Sequence, residues 1–100
     1  MAYLICYDIS SNSLRAKMGR KIIEFGLDRI NKSVYLGTIT ESSLTTLETE
    51  LAALVRDHGE PEDSLIFISV SAPQIQDMRI YGLNDLDKQE LSGDKSTLML

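Results

Sequence analysis

The sequence predicts an α+β fold in which two helices cover one face of an antiparallel sheet. Three observations predict it. Short β-branched and aromatic runs recur near 3–9, 34–39 and 64–70. Between them lie two stretches with apolar residues at helical spacing, each opened by a cluster of capping residues. The chain has 100 residues, 43% of them apolar and 25% charged, which suits one core and not two.

The first run, Tyr3-Leu4-Ile5-Cys6-Tyr7-Asp8-Ile9-Ser10, reads as a strand that ends in a single carboxylate. An ionised carboxylate buried there costs several kcal/mol unless it is compensated, so Asp8 reads either as a structural cap or as a site. Ser10-Ser11-Asn12-Ser13 supplies N-caps for a helix from about Asn12 to Phe25, with Leu14, Met18, Ile22 and Phe25 on its apolar face. Gly26 suits the left-handed stop of that helix. Gly19 costs about 1 kcal/mol relative to alanine in mid-helix, which a close approach by a neighbouring element offsets. Arg15 and Lys17 stand early in the helix, where the dipole already presents positive potential. They suit a bound anion there, and they equally suit two exposed cations.

From Leu27 to Ile39 the apolar residues show no helical period, so this stretch reads as a short strand, a break near Asn31-Lys32, and a longer strand. Thr40-Glu41-Ser42-Ser43 caps a second helix with Leu44, Leu47, Leu51, Leu54 and Val55 in one stripe, ending near His58-Gly59. Glu60-Pro61-Glu62-Asp63 reads as an acidic turn and Ser64–Val70 as a buried strand. Pro73 reads as the close of that strand, and Met78-Arg79-Ile80-Tyr81-Gly82 as a weaker extra C-terminal strand. The domain is expected over 1–84, with 85–100 a polar, flexible tail.

This order matches the ferredoxin-like βαββαβ arrangement with an extra C-terminal strand. Two helices cover one face, so the other is expected to stay bare and apolar, and the chain to form a homodimer.

No apolar run approaches the roughly 20 residues that span a bilayer, and no signal-peptide pattern opens the chain, which leads to the expectation of a cytoplasmic protein without a membrane partner. Cys6 is the lone cysteine and reads as a core residue. With one histidine, His58, it cannot make a zinc site. The net charge of −5 argues against a polyanion partner, yet residues 12–35 carry six cations against two carboxylates. A basic face on an otherwise acidic chain fits a nucleic-acid backbone as well as it fits a solvated helix.

The residues resemble a known family at four places. These are Tyr7-Asp8-Ile9-Ser10 after the first strand, Leu14-Arg15-x-Lys17 in the helix, Gly26-Leu27-Asp28-Arg29-Ile30-Asn31-Lys32-Ser33-Val34-Tyr35 with Gly37, and Asp63-Ser64 before the last core strand. In this order and spacing they are similar to Cas2, the second core CRISPR-associated protein of spacer acquisition. Ser11, Asn12 and Ala16 depart from the family's acidic and arginine-rich positions.

The resemblance implies a homodimer that acts as a metal-dependent endonuclease on RNA or double-stranded DNA in antiviral defence, with the CRISPR integrase, Cas1, as partner. Asp8 is then the catalytic residue and the ligand of Mg²⁺ or Mn²⁺, with a second Asp8 supplied across a two-fold axis. Tyr7 joins it in a positioning role. Arg15, Lys17 and Arg29 become phosphate contacts and Tyr35 a stacking or positioning group. From the residues alone, Tyr7 and Tyr35 read more readily as core aromatics, and Ser10 reads as a cap. Two further functions fit the same resemblance: a non-catalytic adaptor bridging the integrase and DNA, and a toxin-like ribonuclease on the same fold.

Overall fold

The computed structural model describes residues 1–81. Its first six elements follow the predicted order: β1 (Ala2–Asp8), α1 (Asn12–Glu24), β2 (Asp28–Asn31), β3 (Val34–Thr38), α2 (Glu41–His58) and β4 (Ser64–Val70); a short helix that was not expected, α3 (Ala72–Gln76), comes next. The strands form one antiparallel sheet in the order β2-β3-β1-β4, which is the ferredoxin-like order.

Alternation along β1 sorts the sheet into two faces. Ile5 and Tyr7, with Ile9 just beyond the strand, enter the core with Leu14, Met18 and Ile22 of α1 and Leu44, Leu47 and Leu51 of α2. Each fully buried side chain of this kind contributes about 1.5–3 kcal/mol. In register, Ile5 lies between Tyr35 on β3 and Phe67 on β4, so the central strand anchors both neighbours.

Both long helices start where their caps predict. The Ser11 hydroxyl accepts the Leu14 amide at 3.2 Å, and the Thr40 hydroxyl accepts the Ser43 amide at 3.2 Å. Gly26 closes α1 with φ +96°, a left-handed geometry that glycine adopts without strain. Lys21 and Glu50 join the two helices by an ion pair of 2.8 Å.

Gly19 is approached closely, by side chains rather than backbone. A Cβ there would lie 2.5 Å from the Tyr35 hydroxyl and 3.4 Å from that of Tyr7.

The second face of the sheet departs from expectation, because α3 folds onto it. Ile75 of α3 is fully buried against Ala2 and Leu36, with Leu4, Ile30, Val70 and Met78 around them. Pro73 therefore does not simply end a strand: it sits in the first turn of a helix, where its missing N–H does no harm. Only part of the face stays open, with Ile66 and Ile68 of β4 48% and 45% exposed. Met78–Tyr81 pair with no strand among the described residues. Gly82 and the predicted tail at 85–100 lie outside the described residues.

Candidate functional site

A cleft of about 510 Å³ opens where β1 ends, lined by Tyr7, Asp8, Ile9, Asn12, Arg15, Ala16, Arg29, Lys32 and Ser33. Its walls are the β1–α1 loop, the first turn of α1 and the β2–β3 hairpin. The Tyr7 amide donates to the Ser33 carbonyl at 3.1 Å, which extends the β1–β3 ladder past its last pair and sets the hairpin beside the strand end.

Asp8 is exposed, so the burial penalty expected for it does not arise. It is also not the cap of the following helix. Ser11 holds that position, and the nearby carboxylate that binds loop amides is Asp63. Asp8 is the one acid in the cleft lining, and no hydrogen bond or ion pair ties it among the described residues. Arg15, Arg29 and Lys32 share the cleft lining with it.

Arg15 has a structural task as well. Its Nη1 donates to the carbonyls of Ile9 at 2.6 Å and Ser10 at 3.2 Å. These bonds account for a cation so near the helix start without any bound anion. A guanidinium carries five N–H donors, so others stay available to the cleft. Arg29 lies over the Tyr35 ring, 5.9 Å from its centroid.

Of the roles the resemblance implied for the tyrosines, burial removes stacking and leaves positioning. Tyr35 is fully buried and cannot stack on a nucleotide. Tyr7 is 6% exposed; its hydroxyl lies 3.1 Å from that of Tyr35 and donates to the Arg15 carbonyl at 3.3 Å. Burial and the bond to Tyr35 push the Tyr7 phenol well above its ordinary range, so it stays protonated and is no general base. The two rings, 6.0 Å apart, support the cleft from below.

Lys17 does not join Asp8. It lines a separate groove of about 530 Å³ with Ser11, Ser13, Leu14, Arg20 and His58. Conversely, Lys32 and Asn12 belong to the cleft, although no site role was expected of either. The signal for Lys32 was its place in the hairpin turn beside Arg29.

For a divalent ion, Asp8 is the one carboxylate in the cleft lining among the described residues, and no group of three or more His, Cys, Asp or Glu gathers among them. That fits Mg²⁺ or Mn²⁺ better than zinc or calcium. Mg²⁺ keeps several waters and is held through one or two carboxylates. No helix among the described residues is long and apolar enough to cross a membrane.

Comparison with known proteins bears on the whole of this region. The family model described as CRISPR associated protein Cas2 matches residues 1–78. The CRISPR-associated endoribonuclease Cas2 of Aeropyrum pernix is 31% identical, over 80% of this chain and 82% of that protein. That of Thermofilum pendens is 32% identical, over 85% and 87%. A CRISPR-associated endonuclease Cas1/endonuclease Cas2 fusion of Thermoproteus tenax is 36% identical over 67% of this chain, which spans a quarter of the fusion. Among solved structures, Streptococcus pyogenes Cas2 superposes with a TM-score of 0.70 at 16% identity, covering 82% of this chain and 100% of that one.

Proposed function

This chain belongs to the CRISPR-associated Cas2 family, and from that premise we propose that it is a homodimeric, metal-dependent endonuclease of spacer acquisition in antiviral defence. The observation that carries the reading is Asp8: an exposed carboxylate at a strand end, spared from capping by Ser11 and Asp63, in a cleft whose lining also includes Arg15, Arg29 and Lys32. The names of the Aeropyrum and Thermofilum relatives support endoribonuclease activity.

In this reading Asp8 holds Mg²⁺ or Mn²⁺, which when bound supplies an activated water and neutralises charge on the phosphate. Arg29 and Lys32 grip phosphate oxygens from the hairpin side, and the free donors of Arg15 do so from the helix side. Tyr7 and Tyr35 act from beneath, holding Arg15 and the strand end in place.

In this reading the dimer forms through the side of the sheet on which Asp8 leaves β1. Asp8 leaves the strand on the same side as Leu4 and Cys6, the side on which Ile66 and Ile68 stay exposed. Two copies joined through that patch bring two Asp8 carboxylates toward one axis and supply the second ligand.

The adaptor reading keeps its own support, since one relative is fused to Cas1. Both readings include Cas1 as partner and differ in whether Asp8 is needed. The test is a side-by-side assay of wild type and Asp8→Ala on single-stranded RNA and duplex DNA, with Mg²⁺, Mn²⁺ or EDTA. The nuclease reading predicts metal-dependent cleavage that Asp8→Ala abolishes with the thermal midpoint unchanged. Wild-type spacer integration by Asp8→Ala, with no cleavage by either protein, would establish the adaptor instead.

A further inference from the structure

We infer that Asp63 and Ser10 are positioning residues for the Asp8 carboxylate, an inference that rests on the proposed metal role of Asp8. The loop between Asp8 and the N-cap Ser11 is two residues long, and nearly every polar group in it is held. Asp63 Oδ1 accepts the Ser10 amide at 3.0 Å and the Ser10 hydroxyl at 2.8 Å. From the other side Arg15 Nη1 takes the carbonyls of Ile9 and Ser10. Ile9, 2% exposed, pins the same loop into the core.

Asp63 is itself fixed. Its Oδ2 accepts the Glu60 amide at 2.8 Å, so the carboxylate bridges the α2–β4 turn and the β1–α1 loop with both oxygens engaged. In register Asp8 pairs with Ser64, the residue after Asp63. The bridge therefore ties the β1–α1 loop to the start of β4 just beyond the Asp8–Ser64 pair. A ligand carboxylate must be held to within about 0.5 Å for its geometry to serve a metal, and the side chains that orient ligands set this precision.

The bonds of Asp63 are exposed to solvent, and the thermal midpoint read beside affinity and kcat separates positioning from stability. Asp63→Asn keeps an acceptor for one of the two arms and loses the other. Ser10→Ala removes only the hydroxyl and leaves the Asp63–Glu60 bond intact, so it also serves if Asp63→Asn folds poorly.

The experiment uses the intact chain as wild type, Asp63→Asn, Ser10→Ala, the double variant and Asp8→Ala. Its readouts are Mn²⁺ affinity by paramagnetic resonance titration, kcat and KM on RNA and duplex DNA, and the thermal midpoint. Positioning predicts that Asp63→Asn lowers Mn²⁺ affinity and kcat by about 10-fold or more, with KM for nucleic acid within about twofold. Ser10→Ala gives a smaller loss of the same kind, and the double variant is no worse than Asp63→Asn. Wild-type Mn²⁺ affinity and kcat in both Asp63→Asn and Ser10→Ala, while Asp8→Ala loses both, would overturn the positioning role and leave the Asp8 reading standing. Unchanged Mn²⁺ binding in Asp8→Ala would overturn both together. Losses that follow only the folded fraction, with affinity per folded molecule unchanged, would make the bridge purely structural and overturn the inference.

Discussion

At the scale of single residues, the chain separates two kinds of carboxylate that look alike in sequence. Asp63 is spent on backbone amides and a hydroxyl, whereas Asp8 has no such partner among the described residues. The sequence narrowed Asp8 to a cap or a site, and the bonds of Asp63 and Ser11 remove the first choice. What could not be read was exposure, because an apolar run does not reveal where a strand leaves its sheet. The tyrosines illustrate the same limit: their types fit stacking or packing, and only their burial decides for packing. Tyr35 reaches the α1 backbone at Gly19, where a Cβ would come within 2.5 Å of its hydroxyl. Gly19→Ala is therefore expected to destabilise by about 1–3 kcal/mol, the usual range for overpacking. Adding Tyr35→Phe removes the crowding atom and should recover part of that loss. Urea unfolding of both single variants and the double variant measures the coupling.

At the scale of elements, caps and periodicity located β1, α1, β2, β3, α2 and β4 to within a residue or two. Helix α3 escaped because its single turn carries too few apolar positions for a period, and Pro73 drew attention as a breaker. A readable signal was present: Ser71 and Gln74 form a capping box, with the Ser71 amide donating to Gln74 Oε1 at 2.7 Å and the Gln74 amide donating back to Ser71 Oγ at 3.3 Å. The link between the β1–α1 loop and the α2–β4 turn was also illegible, since it joins residues 53 positions apart. It has a pH signature. The amide of Glu60 first, and then the hydroxyl and amide of Ser10, hold the Asp63 carboxyl below the usual carboxylate range. A carboxyl depressed in the fold adds stability that is fully present above its unfolded pKa and is lost as pH falls through its folded pKa. Wild type should therefore lose stability between about pH 4 and lower pH more steeply than Asp63→Asn. Urea midpoints of the two proteins across that window check the slope.

At the scale of the whole molecule, the ferredoxin-like sheet leaves its two faces unequally covered. Helices α1 and α2 close one face, and α3 closes part of the other, so the apolar patch available to a second copy is smaller than the sequence suggested. Its centre is Ile66 and Ile68 on the edge strand β4, with Asp8 leaving β1 on the same side. Replacing both isoleucines by aspartate is expected to yield a folded monomer in sedimentation, and with it a loss of metal-dependent cleavage. The central claim is that two copies share one metal site through their Asp8 residues, and subunit mixing tests it most directly. Wild type and Asp8→Ala are exchanged at a series of ratios, and Mg²⁺-dependent cleavage is measured at constant total protein. The account predicts activity that falls as the square of the wild-type fraction and vanishes for the variant alone. A linear fall, or cleavage persisting in the pure Asp8→Ala dimer, would contradict it.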